Sequence, residues 1–374
     1  MTQSIDRRSF LSKSVLTGAG AAAVAASSFP SPAIAQELPT VRWRLTSGFP
    51  NNLDTIYGGA VYAAKIISEM TQGKFQIQVF QAGELVPGPQ AIDAVKSNTV
   101  EIAHTCGYYF TGKDPTFAIG SALPFGLNTR LQNAWLYHGG GNEAYDAFLS
   151  DYNIVGFPGG GTGAQMGGWF RKEVNSLTDL KGIKMRIAGV AGEVMSRLGV
   201  VPQQLPGGDI YPALERGTID AAEWVGPYDD EKFGFYNIAP YYYYPAFWEG
   251  GLTIHFYINK DEWAKLPDYY KAVLQAAFRA TNMNMQTLYD VKNMAAIRSL
   301  VGKGAQLRPM PRDILDTAYK ISFDLYDEFM QKYPNTWAKI YPEWKKFRGE
   351  GFEWFRVAEY SYDSFVFSAQ ASGQ

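Results

Sequence analysis

An arginine, two glutamates and a glutamine, each set among small, apolar or aromatic neighbours, are the residues of this chain best suited to chemistry. Arg186 lies in Lys184-Met185-Arg186-Ile187, just after the turn Leu180-Lys181-Gly182. A guanidinium is a rigid fork of donors that matches a carboxylate in two parallel bonds, so Arg186 is a candidate anchor for a small organic acid. A salt bridge to a neighbouring segment is the plainer alternative. Glu223 precedes Trp224, and Glu249 follows Phe247-Trp248. Carboxylates among aromatics are costly to bury unless they are paired or hold a cation. Together with Gln165 they could give oxygen ligands to a hard cation such as Na+, Mg2+ or Ca2+, although spacing alone favours carboxylates that are solvated or bonded to backbone.

Catalytic signatures are weak. The chain has three histidines, His104, His138 and His255, and no HExxH, GxSxG or paired Cys/His zinc spacing. Cys106 beside His104 lacks an identified oxyanion donor for a thiol hydrolase, and Glu223 with Glu249 is a remote candidate for a glycosidase pair. Pro158–Gly163 is almost all glycine, but no lysine or helix follows, so it is a poor phosphate loop. A hinge or a close backbone approach fits it better.

The elements that must position these groups are announced by a repeat. Residues 94–103 read AVKSNTVEIA and residues 213–222 read ALERGTIDAA, and the register continues to pair Gly107 with Gly226 and Tyr109 with Tyr228. Each copy predicts a helix end, a tight turn at Asn98 or Gly217, and a short buried strand. Two such units imply two similar lobes. Ligands of open α/β sheets bind beyond the carboxyl ends of the strands. Here those ends carry His104, Thr105, Tyr108 and Tyr109 in one copy, Glu223 and Trp224 in the other.

Around the repeat, alternation at Val41, Trp43 and Leu45 and at Phe75, Ile77 and Val79 predicts strands. Helical spacing predicts a helix over 54–70 stopped by Gly73, and another near 131–150. Further strands are expected at 154–157, 165–170, 184–187 and 253–257, the last a return to the first lobe. Residues 268–301 contain neither proline nor glycine. As one helix they span about 50 Å, enough to run along both lobes; a hairpin broken near 282–284 is the alternative. Amphipathic helices follow at 314–330 and 337–347.

At the amino end, Arg7-Arg8-Ser9-Phe10-Leu11, a weakly apolar run over 15–26 and Ala33-Ile34-Ala35 form a twin-arginine export signal over residues 1–35. The run is too short for a membrane span. Residues 36–374 hold 31 basic and 35 acidic residues, a net charge of −4 without any basic run. That leaves nucleic acid and anionic membrane without an electrostatic footprint. The length calls for two domains. Cys106 is the sole cysteine, so no intrachain disulfide forms.

The export signal, GGDIYPALERGTIDAAEW, LKGIKMR and FPGGGTGAQMGGWF together resemble the extracytoplasmic solute-binding subunits of tripartite ATP-independent periplasmic (TRAP) transporters. The likeness covers essentially all of residues 36–374. GELVPGPQ, DAVKSNTVEIAHTCGYY and WVGPYDDEKFGF with the tyrosine run Tyr241–Tyr244 resemble most the subgroup for 2-oxo monocarboxylates such as pyruvate.

The resemblance implies an α/β, two-lobed periplasmic-binding-protein-like fold with long helices spanning both lobes and a helical C-terminal extension. Lobe I is expected over 36–160 plus about 251–280, lobe II and the spanning helix over 161–250 plus about 281–335, and the extension over 336–374. The resemblance also implies that Arg186 binds the substrate carboxylate and that Tyr108 and Tyr109 bond the ligand from the other lobe. Gln165, Glu223, Glu249 and the Trp224 carbonyl would hold a bridging cation, Na+ ahead of Ca2+, with Gln165 and Trp224 also at the substrate. The implied protein is a periplasmic, non-enzymatic binder, with TRAP permease subunits and a second copy of itself as partners. Lactate-like 2-hydroxy acids, dicarboxylates and an exported enzyme are the alternatives. No second basic group accompanies the motifs, which ranks monocarboxylates above dicarboxylates.

Overall fold

The repeat is visible in the backbone. In the computed structural model, which describes residues 38–371, Asn98 and Gly217 both have left-handed φ values, 56° and 71°. The turns bond alike: Thr99 N donates to Ala94 O at 2.8 Å and Thr218 N to Ala213 O at 3.0 Å, while Asn98 N and Gly217 N reach Val95 O and Leu214 O at 3.0 Å. Each turn delivers the chain into the middle of a sheet. The export signal expected over residues 1–35 lies outside the described residues.

The strands are β1 (Val41–Ser47), β2 (Phe75–Phe80), β3 (Ile102–Cys106), β4 (Ile154–Gly161), β5 (Gly168–Phe170), β6 (Lys184–Arg186), β7 (Val201–Gln203), β8 (Ala221–Ala222), β9 (Tyr241–Tyr244), β10 (Thr253–Asn259) and β11 (Gln306–Pro309). They form a five-stranded sheet in the order β2-β1-β3-β10-β4 and a six-stranded sheet in the order β11-β9-β5-β8-β6-β7. The chain crosses twice after β9. Strand β10 returns to the first sheet, antiparallel to β3 and β4, and β11 joins the second, parallel to β9.

The helix Asp268–Gly302 is a single element of 35 residues. It packs first on β4 and the helix Ile56–Met70, then on the helix Pro227–Phe233. Its buried face includes Leu274, Phe278, Met285, Tyr289, Ala296 and Leu300, while the apolar Val291 is 65% exposed. Over 35 residues a straight helix cannot keep one stripe on two differently placed supports, so its contact face rotates.

Three local expectations differ from what the chain does. The region near 131–150 forms two helices, Thr129–His138 and Gly141–Leu149, because Gly140 adopts φ +79° between them. The glycine run does not interrupt its strand: β4 continues to Gly161. A Cβ on Gly159 would lie 2.1 Å from the Phe256 ring, and one on Gly160 2.7 Å from Met285, which is the close approach foreseen. Finally, β5 begins only at Gly168. Residues 165–167 form a loop instead, bonded to neighbouring segments by Gln165 N to Glu249 O at 3.1 Å and Met166 N to Val225 O at 3.1 Å.

Tyr242 and Tyr243 of the tyrosine run are core residues whose hydroxyls donate to Asp230 and to Val174 O. The C-terminal helices Arg312–Lys332 and Trp337–Val357 join through Tyr326, Trp337, Tyr341 and Trp344. No helix among the described residues is long and apolar enough to cross a membrane.

Candidate functional site

Three segments of the second sheet's half converge. Strand β6 carries Arg186, the end of β8 carries Glu223 and Trp224, and the loop 165–167 ties to the turn that holds Glu249. The backbone makes this register: Glu223 N donates to Arg186 O at 3.2 Å, and Ala246 N to Gln165 O at 3.1 Å. All four polar side chains are buried, with exposures of 2% for Arg186, 3% for Gln165, 4% for Glu223 and 5% for Glu249. Burying two carboxylates, an amide and a guanidinium together is expensive unless each finds a partner.

Arg186 is well engaged. Its Nη1 donates to Glu223 O at 2.7 Å and to the Glu223 carboxylate, and its Nε donates to Leu205 O at 3.3 Å. The guanidinium lies over the Trp224 ring, 5.1 Å from the centroid, a cation–π arrangement favoured by the planar fork. Burial, the largest single influence, acts to lower the Arg186 pKa, but the Glu223 charge together with Tyr109 and Tyr108 more than offsets it, so the group stays protonated. Tyr109, from the segment after β3, acts on the charge of Arg186, and Tyr108 on that of Glu249. The first sheet therefore touches the cluster through the two tyrosines singled out in the sequence.

Two oxygens of the cluster are not satisfied. Gln165 Nε2 donates to Thr162 Oγ1 at 3.0 Å, which turns the amide so that its oxygen faces away from that bond. Gln165 Oε1 and Glu249 Oε2 are buried with no hydrogen-bond partner. Orphaned buried acceptors are rare in folded proteins and call for an explanation. Two acceptor oxygens beside a buried carboxylate are suited to a hard cation, which accepts oxygen ligands of this kind. No group of three or more His, Cys, Asp or Glu side chains is arranged for a metal among the described residues, so any cation here relies on amide and carbonyl oxygens beside the two carboxylates.

Burial pushes the Glu223 carboxyl up to about 7 despite its pairing with Arg186. Glu249 is raised well above the usual range, first by burial and then by the Glu223 charge. With folded pKa values above the unfolded value near 4.3, the folded chain holds more protons than the unfolded chain. Stability from these groups is therefore lost as pH rises from about 4.5 through 7. Glu249→Gln should flatten this fall, measured as the thermal midpoint between pH 5 and 8 in protein stripped of cations and ligand.

The thiol–imidazole alternative does not fit. Burial pushes the Cys106 thiol well above its usual range, and burial lowers His104 to about 4 and His255 to about 3. A neutral thiol without a basic neighbour is no nucleophile.

Two residues escaped the sequence reading. Thr162 orients the Gln165 amide, and Gln204 Nε2 donates to Tyr109 O at 3.2 Å. Neither shows a signal in sequence beyond standing near a motif.

Residues 46–333 match the model of the bacterial extracellular solute-binding protein family 7. The chain belongs to this family. This solute-binding protein is 47% identical, over 97% of its length and 100% of the relative's, to a monocarboxylate 2-oxoacid-binding periplasmic protein of Nostoc sp. PCC 7120. It is 48% identical to a TRAP transporter solute-binding protein of Bordetella bronchiseptica RB50, with a TM-score of 0.88 over 90% of this chain and 100% of that one. That protein is a mixed-occupancy dimer with copurified calcium and picolinate in one active site and the other site apo. A TRAP periplasmic solute-binding protein of Pseudoalteromonas atlantica T6c, with bound sodium and pyruvate, is 35% identical with a TM-score of 0.83 over 87% of this chain and 99% of that one. The solute-binding protein is thus an extracytoplasmic component of a TRAP transporter with the two-sheet fold of that family.

Proposed function

We propose that this solute-binding protein captures a small 2-oxo monocarboxylate such as pyruvate together with a metal cation, and hands it to the membrane permease. The observation that carries the reading is the buried Arg186–Glu223 pair beside two unpartnered acceptors, Gln165 Oε1 and Glu249 Oε2. A 2-oxo acid offers a carboxylate and an adjacent carbonyl. Arg186 would take the carboxylate charge, and Tyr108 and Tyr109 would bond the ligand from the first sheet. Gln165, Glu223, Glu249 and the Trp224 carbonyl would hold the cation, which when bound supplies positive charge between two carboxylates that would otherwise repel the anion. The relatives' calcium with picolinate and sodium with pyruvate support this combination. Sodium is placed ahead of calcium, as in the relative that holds sodium with pyruvate.

Export is proposed to follow the twin-arginine route from Arg7-Arg8. A second copy of the chain is proposed to cover the helix Glu359–Ala371, whose Tyr360, Tyr362, Phe365 and Phe367 are each about 70% exposed. An aromatic surface of that kind marks an interaction site. Native mass spectrometry of gently purified protein tests the assignment in one experiment. The expected result is unaltered acid and cation retained in equal amounts per chain; conversion of an added 2-oxo acid to a product would favour an exported enzyme.

A further inference from the structure

A second polar cluster joins the two sheets, separate from the polar groups of the solute site. The loop after β1 offers Asn52, Asp54 and Thr55, and the helix Pro227–Phe233, which follows β8, offers Tyr228, Asp229 and Lys232. The long helix Asp268–Gly302 adds Tyr289 and Lys292. Asp54 is at the centre: it accepts from Tyr228 Oη at 2.9 and 3.0 Å, from Lys292 Nζ at 2.7 Å and from Lys232 Nζ. Both ammonium groups also lie 4.3 Å from the Tyr228 ring centroid, and Lys232 Nζ reaches Asn52 O at 3.2 Å. Behind this layer Thr55 Oγ1 donates to the buried Asp229 at 2.9 Å, and Tyr289 Oη to its other oxygen at 2.6 Å.

The next residue faces the opposite way. Asp230 accepts from Trp169 Nε1 at 3.0 Å, from Tyr242 Oη at 2.7 Å and from Val225 N at 3.3 Å, all in the second sheet's half. Consecutive aspartates thus tie one helix to its own sheet through Asp230 and to the first sheet's loop through Asp229 and Tyr228. Only three residues separate Trp224 from Tyr228, so the tie adjoins the solute site without touching its polar groups. Because the site residues are buried, a solute cannot leave unless the two sheets part, and parting them breaks the bonds to Asp54 and Thr55.

We infer that Asp54 is the pin of a clasp that holds the two sheets closed over the bound solute and sets how long the solute stays. Asp54 is a positioning residue, acting through Tyr228, Lys232 and Lys292. The inference rests on the proposed capture of a 2-oxo acid only for the kinetic part of its test. In stopped-flow displacement of pyruvate, Asp54→Ala should raise the dissociation rate roughly 10-fold, as loss of one carboxylate shared by several partners implies. The association rate should stay within about twofold, and the thermal midpoint without ligand should hardly move. High salt should speed release from the wild type and have little effect on the variant, because the pairs are partly exposed.

An unchanged dissociation rate would overturn the clasp, as would a ligand-free midpoint that falls as far as the ligand-bound one, since that describes a merely structural contact. A second measurement needs no ligand identity. Spin labels at the equivalent exposed repeat positions, through Ser97→Cys and Arg216→Cys, report the distance between the sheets. Asp54→Ala should shift that distribution to longer distances; an identical distribution would overturn the inference even if pyruvate proved to be the wrong solute. Absence of pyruvate binding by the wild type with a shifted distribution would instead count against the solute assignment alone.

Discussion

Arg186→Ala should abolish measurable pyruvate binding while the chain still folds. In the structure the guanidinium is the one buried cation of the cluster, held by two carbonyls, a carboxylate and a ring face. A solute carboxylate brought into that site exchanges water for charge-assisted bonds in a low-dielectric setting. Truncating one partner of such a buried pair costs about 2–5 kcal/mol, or roughly 30- to 4,000-fold in affinity. The fold should survive because the charge left behind can be neutralised. Glu223, already pushed up to about 7 by burial, takes a proton once Arg186 is gone. Arg186→Lys should fall between the two, keeping the charge and losing the paired donors. Calorimetric titration with pyruvate, beside circular dichroism of each variant, reads both effects. Near-wild-type affinity in Arg186→Ala would remove the arginine from the site.

Stripping the cation should weaken pyruvate binding by about 100-fold or more, and returning sodium or calcium should restore it. At a separation of 4 Å and an effective dielectric of 20, a pair of unit charges interacts by about 4 kcal/mol, so exchanging repulsion by Glu249 for attraction by a cation is a large effect. The pH dependence supplies an independent check. Cation binding must displace the protons that Glu223 and Glu249 hold in the empty site, so cation affinity should fall as pH drops below 7, by up to about tenfold per unit for each proton displaced. Glu249→Gln should remove part of that dependence and most of the cation affinity. Titrations with protein treated by ion exchange, with residual metal measured, decide the matter: unchanged pyruvate affinity after complete removal would eliminate the bridging cation.

The strand-and-turn framework was legible in sequence where local chemistry is unambiguous. The repeat specified two equivalent turns because Asn and Gly tolerate the left-handed backbone that both positions adopt. The long helix was legible from 34 residues without a breaker, yet its buried face was not, since the supports at its two ends are set by tertiary packing. The glycine run misled as to strand length for the opposite reason: those glycines sit within β4 to make room for Phe256 and Met285, which sequence distance hides.

The candidate site divides similarly. Arg186, Glu223 and Glu249 stood out because charge among apolar residues demands a reason, and the structure gathers them. Their pairing could not be read: the Arg186–Glu223 contact spans 37 positions and the Gln165–Thr162 bond depends on how the loop before β5 turns. Asp54 was invisible for the same reason, an exposed loop aspartate whose partners lie 174 to 238 residues away.

A crystal structure of the protein grown with pyruvate and a defined cation tests the central claim most directly. The solute carboxylate should lie against Arg186, with the cation held by oxygens of Gln165, Glu223, Glu249 and the Trp224 carbonyl and touching both solute and protein. Pyruvate bound elsewhere, or bound at Arg186 with no cation between it and the two glutamates, would contradict the account.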